Sequence, residues 1–250
     1  MRDVRKAFGG VHAVEDVSVS VAAGEVLGIV GHNGAGKSTL IKILSGAHPM
    51  DSGEILIDGK SATINNPRDA RSYGIETLYQ DLALADNLDA AANLFLGREL
   101  TTRFGSLDND AMAAATREVI ARINPNFVSW KEPVLRLSGG QRQSIAIARA
   151  VHFKVKVLIM DEPTAALGHR ESDLFKELVL RLKSEGIAMF MISHDINDVF
   201  DISDRIFVMA GGREVGTCPT AEVTKDEVLG MIILGKKPED ERPKDLAKLH

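Results

Sequence analysis

Cysteine is almost absent: Cys218 is the single one in 250 residues. The chain therefore closes no disulfide of its own, which fits a reducing cytoplasm. Long apolar runs are missing too. No stretch nears the roughly 20 apolar residues of a membrane helix. The opening Met1-Arg2-Asp3-Val4-Arg5-Lys6 lacks the apolar centre of a secretion signal. Any role at a membrane must then come through a partner. Nor is there a basic excess. Thirty Lys and Arg stand against 35 Asp and Glu, a net charge of −5, so no nucleic-acid partner is expected. No internal repeat is visible. What remains is an ordinary soluble composition, 44% hydrophobic and 26% charged, long enough for one large domain or two modest ones.

One stretch organises the chain: Gly31-His32-Asn33-Gly34-Ala35-Gly36-Lys37-Ser38-Thr39. It has the spacing of the phosphate-cradling loop of nucleotide hydrolases. Val26–Val30 leads in as a buried strand and Thr39–Leu44 leads out with helical spacing, the context that gives the motif meaning. Glycines let successive N–H groups turn toward a triphosphate. The helix that follows adds its positive end. Lys37 offers a point charge near the β- and γ-phosphates, and Ser38 a hydroxyl for Mg²⁺.

Around this loop the chain alternates. Val17–Val21 has period two, as a half-buried strand should. Gly53–Gly59 reads as a strand closed by an Asp-Gly turn, and Gly74–Tyr79 as another. Asp89–Leu96 and Asp110–Ile123 have helical spacing, with Asp108 or Asn109 as cap of the second. From Lys154 strands and helices alternate again: Lys156–Met160, Ser172–Glu185, Ile187–Ile192, Arg205–Met209 and a last helix over Thr224–Leu234. This predicts an α/β fold. A small N-terminal antiparallel sheet sits beside a parallel one, with a helical insertion over 84–150 and a mobile charged tail over 236–250.

Two further motifs carry chemistry. Val157–Met160 is an apolar strand ending in Asp161-Glu162. The first acid can reach Mg²⁺ opposite the phosphate loop, and the second can act on an attacking water. Leu137-Ser138-Gly139-Gly140-Gln141 precedes a predicted helix over Arg142–Val151. Its glycines, hydroxyl and helix start form a second anion site; alternatively it is an ordinary N-cap. Two phosphate-binding helix starts in one chain are most economically served by two nucleotides, held between two copies packed head to tail.

In this order, Gly31–Thr39, Leu137–Gln141 and Val157–Glu162 resemble the ATP-binding cassette (ABC) transporter ATPases over nearly the whole chain. The resemblance implies a P-loop NTPase with a RecA-like core, an N-terminal antiparallel β-subdomain and an inserted α-helical subdomain, all within 1–235. It implies ATP with Mg²⁺, a homodimer, and hydrolysis coupled to transport. Phe8, helped by Val14, is similar to the residue that stacks on adenine. Gln80 resembles the glutamine that touches Mg²⁺ and responds to the membrane partner, Glu162 the catalytic base, and His194 the histidine on the γ-phosphate. Gly168 stands where the family usually has an aspartate, as in some sugar-importer ATPases.

Tyr79–Leu88 and Asn93–Glu99 resemble the ATPases of bacterial simple-sugar importers, of ribose, xylose or fructose type, in their single-cassette form. That implies a membrane permease, expected to dock over Gln80–Gly97. Leu82, Leu84, Leu88 and Phe95 either supply contact area there or, for the most part, pack the insertion's own core. A periplasmic sugar-binding protein acts indirectly, and the protein sits on the inner face of the membrane. An importer for another solute and a soluble, non-transport ABC ATPase remain as alternatives.

Overall fold

The computed structural model describes residues 1–78, 82–164 and 168–236; of residues 169–171 only the backbone is described. Among these residues the chain forms eleven strands, eight α-helices and two short 3-10 helices.

β1 (Arg2–Phe8) and β2 (Val11–Val17) make an antiparallel hairpin over Gly9-Gly10. β3 (Val26–Val30) is buried at every position and runs through the phosphate loop into α1 (Lys37–Leu44). β4 (Ser52–Glu54) pairs with β1, completing a sheet of order β2-β1-β4. β5 (Leu56–Ile57) and β6 (Lys60–Ser61) flank Asp58-Gly59, whose φ values of 52° and 74° are those of a tight hairpin turn. α2 (Pro67–Ser72) starts on the Asn66 cap, and β7 (Ile75–Leu78) follows. α3 (Ala90–Phe95) is capped by Asp89, and α4 (Asn109–Ile123) by Asp108. α5 (Gly139–His152) leads to β8 (Val157–Asp161), then α6 (His169–Ser184) and β9 (Ala188–Ile192). α7 (Ile196–Ile202), β10 (Arg205–Ala210), β11 (Arg213–Pro219) and α8 (Lys225–Leu234) complete the order.

Three expectations change. The alternation across 17–21 is real as burial, with Val17 and Val19 inside and Ser18 and Ser20 outside. Yet β2 ends at Val17; residue 19 is instead tied to the chain start, its N–H donating to the Met1 carbonyl at 3.0 Å. The strand over 53–59 divides in two because each half pairs with a different neighbour. The helix after Leu137 begins at Gly139, three residues earlier than Arg142, because Ser138 caps it.

The main sheet has the order β11-β10-β3-β9-β8-β7 and is parallel except where β11 returns along β10. Its register positions the site. Ile29, Ile192 and Asp161 lie in one row across β3, β9 and β8. The residues just past that row therefore leave the sheet side by side at the carboxyl ends of adjacent strands, where open α/β sheets bind their ligands. α3, α4 and α5 close over an apolar cluster of their own that includes Leu94, Phe95, Ile120, Val134 and Ile145. The small sheet is held to the main one by paired Arg213–Glu15 hydrogen bonds and by the Glu15 N–H donating to the Gly212 carbonyl at 2.7 Å.

Candidate active site

The loop after β3 is shaped by what surrounds it. A Cβ on Gly31 would lie 2.2 Å from the Met209 carbonyl oxygen, and one on Gly36, at φ 100°, 2.3 Å from that of Ala13. Strands β10 and β2 thus press against the back of the loop, and only glycine fits there. His32, Asn33 and Gly34 are exposed and Ala35 is buried beneath them. No side chain caps α1 and no acid sits in its first turn, so its positive end stays uncompensated by the chain. Lys37 is buried, and its Nζ donates to the carbonyls of Gly31 at 2.7 Å and His32 at 3.0 Å. Burial pushes this amine below the usual lysine range, against the charges of Glu162 and Asp161. Ser38 is exposed and Thr39 half-buried.

At the end of β8, burial pushes the Asp161 carboxyl up, opposed by Lys42, His194 and Lys37. Glu162 has φ 51°, a left-handed backbone rare for a residue with a side chain. Its N–H donates to the Ile192 carbonyl at 2.9 Å. Its side chain is only 11% exposed. Oε2 accepts from the His194 backbone N–H at 3.2 Å. Oε1 lies 3.2 Å from His194 Nε2, without hydrogen-bond alignment, and is a buried acceptor with no donor. Burial raises this carboxyl as well, with the His194 N–H and the His194 charge opposing and Asp161 reinforcing. The result is a poorly solvated carboxylate with one buried oxygen that has no donor.

Lys37, Asp161, Glu162 and His194 thus converge. Other residues singled out from the sequence lie elsewhere. Phe8, 45% exposed, meets His48 edge-on at 5.3 Å between centroids, with the Lys6 amine 5.4 Å from its ring. Val14 is fully buried in the core and has no surface to offer a base; this corrects its assignment beside Phe8. Gln80 lies outside the described residues. At the start of α5, Ser138 and Gln141 form a capping box: Gln141 N–H to Ser138 Oγ at 3.3 Å, Ser138 N–H to Gln141 Oε1 at 3.1 Å. Gly139 is exposed and Gly140 half-buried there. The capping reading therefore holds, and the outward face of the helix start stays open.

A divalent cation fits this site as a visitor with a nucleotide. Among the described residues no cluster of three or more His, Cys, Asp or Glu could cage a metal. A hydroxyl at Ser38 and one carboxylate at Asp161 suit Mg²⁺, which takes one or two protein ligands and completes its shell with phosphate and water. Two polar groups near the site escaped the sequence reading. Buried Gln143 donates from Nε2 to the Pro163 carbonyl at 3.1 Å, and Thr164 Oγ1 donates to Asp198 at 2.6 Å. Gln143 carried no signal, standing between Arg142 and Ser144, and Thr164 only that of a polar side chain between Pro163 and Ala165.

The sequence profile of the ABC transporter family matches residues 14–165. The chain belongs to that family. This ABC cassette is 42% identical over 245 residues to the xylose/arabinose import ATP-binding protein XylG of Sulfolobus acidocaldarius, covering 95% of the chain and 97% of that protein. It is 42% identical over 233 residues to the ribose import ATP-binding protein RbsA of Yersinia pestis, covering 93% of the chain but 46% of that protein. The cassette thus spans about half the length of such relatives. Among solved structures, the ADP conformation of an ATP-binding cassette of an ABC transporter superposes with a TM-score of 0.74 at 26% identity, 93% of each chain covered. The cbiO1 subunit of Clostridium perfringens, part of the ABC transporter complex cbiONQ, gives 0.75 at 28%, again covering 93% of each.

Proposed function

We propose that this cassette hydrolyses ATP between two copies of itself and that the work drives import of a simple sugar through a membrane permease. One observation carries the chemistry. Among the described residues, the single buried carboxylate oxygen without a donor belongs to Glu162, beside Lys37, Asp161 and His194. A raised, poorly solvated carboxylate with an acceptor still unused is what a general base needs to orient and deprotonate water.

The phosphates lie along Gly31–Thr39, where the loop N–H groups and the α1 start face them. Lys37 exchanges its two carbonyl partners for phosphate oxygens. Phe8 packs on the adenine. Ser38, Asp161 and Gln80 would hold Mg²⁺, which when bound would offset charge on the phosphates. Ser138–Gln141 of the other copy closes over the γ-phosphate and excludes water, which strengthens each charge contact. Glu162 accepts the proton of the attacking water. His194, held at the Glu162 carboxylate, steadies the developing charge together with Lys37.

The transport reading has separate support. Relatives similar over 93–95% of the chain are named for import of xylose and arabinose or of ribose. No described helix is long and apolar enough to cross a membrane. By the names of these relatives, the cassette works from the inner membrane face through its permease. A periplasmic sugar-binding protein would deliver the solute. Purified protein should release phosphate from ATP only with Mg²⁺, and disruption of its gene should abolish uptake of one pentose or hexose. Import of some other solute lost instead would keep the ATPase and discard the sugar.

A further inference from the structure

Glu162 sits in a conformation that its neighbours must enforce. Its φ of 51° is left-handed, and the residue after it is Pro163, whose ring further restricts the preceding backbone. Such a backbone persists only where surrounding bonds over-determine it. Three do so here. The Glu162 N–H is held by the Ile192 carbonyl at the end of β9. Thr164 Oγ1 is anchored on Asp198 of α7. Between them, proline has no N–H to give, and the Pro163 carbonyl is bound by Gln143 Nε2 at 3.1 Å. Gln143 is 6% exposed and comes from α5. It is thus a buried polar bridge from the helical part to the peptide that carries the Glu162 carboxylate.

We infer that Gln143 is a positioning residue for Glu162, and that through it α5 sets the acid's aim. This rests on the reading above, in which the start of α5 closes over the partner copy's ATP. Gln143 lies five positions after Ser138, at the helix start. A shift of α5 when the partner's nucleotide is enclosed is then passed, within one rigid helix, to the Pro163 carbonyl and to Glu162 in this copy's own site. Each copy reads one nucleotide and adjusts the base at the other. Lost positioning costs turnover rather than binding, because Gln143 lies off the phosphate loop and its bond is to the chain.

The test is a double-mutant cycle on the full-length protein, with Mg·ATP as probe. Gln143→Met keeps length and bulk and removes the donor. It should lower kcat about tenfold, the scale of one lost positioning bond, with KM for ATP unchanged. Added to Glu162→Gln, which removes the base itself, it should cost little more, because both act through one group. Wild-type turnover in Gln143→Met, a raised KM at unchanged kcat, or losses that multiply in the double variant each overturn the role. Should Gln143→Met not fold, Gln143→Leu serves in its place. It too removes the donor and leaves an apolar side chain in the buried position, with the same outcomes expected. A wild-type protein without Mg²⁺-dependent hydrolysis overturns the ATPase reading and this role with it; an active wild type beside an unaffected variant overturns this role alone.

Discussion

At the scale of single residues, Glu162 carries two opposed expectations. Glu162→Gln should keep ATP binding and lose turnover by on the order of a hundredfold or more, read as phosphate release. The same change should stabilise the free protein at neutral pH. Burial holds the Glu162 carboxyl above its unfolded value, so its ionised form is disfavoured by folding. That cost is fully present above the folded value and vanishes below the unfolded one, near pH 4.5. The variant's melting temperature should therefore exceed wild type by about 2–4 °C per kcal/mol relieved, with the gap closing as pH falls toward 4.5. A gap that widens in acid would contradict the assigned cause. The loop glycines and the acids at a strand end were legible because their spacing encodes backbone shape. The left-handed turn at Glu162 was not, since nothing in Asp-Glu-Pro announces it. Val14 misled because its place beside Phe8 came from the resemblance alone, which says nothing of the face it takes; the fold turns it fully into the core.

At the scale of elements, apolar runs and caps read well. β3, β8 and β9 are almost wholly buried, as parallel strands covered on both faces are, and each announces itself by four or five apolar residues. What escaped is short or mixed. α7 is seven residues with Val199 and Ile202 buried, and β11 is an edge strand whose pattern is largely polar. Gly168 gives a prediction here. It is the N-cap of α6, at φ −74° and ψ 168° with no side-chain bond to the helix. Nothing in that backbone requires glycine. Gly168→Asp should stabilise the protein by about 0.5 kcal/mol through the cap and the helix dipole, raising the melting temperature by about 1–2 °C. A fall in melting temperature would show that the position has a demand beyond the cap.

At the scale of the whole molecule, the docking surface read from the sequence needs correction. Phe95 is 1% exposed and belongs to the core of the helical part, and Leu82 and Leu84 pack against buried clusters. Leu96, 48% exposed, is the large apolar side chain open among the described residues of that stretch. Leu96→Glu should weaken permease pull-down and sugar uptake while leaving ATP hydrolysis in solution within about twofold, since exposed sites away from packed features tolerate change. Uptake at the wild-type level would place docking elsewhere. No periodicity could have separated buried from open leucines here, because the irregular segments around α3 decide it.

The central claim is that two copies enclose ATP between the phosphate loop of one and the α5 start of the other. Sedimentation of the Glu162→Gln protein, with and without Mg·ATP, tests it most directly. The account predicts a monomer without nucleotide, a dimer with ATP, and no dimer when Ser138→Arg is added, although that double variant still binds ATP through Lys37. A Glu162→Gln protein that stays monomeric at saturating ATP, or a dimer that Ser138→Arg leaves intact, would contradict it.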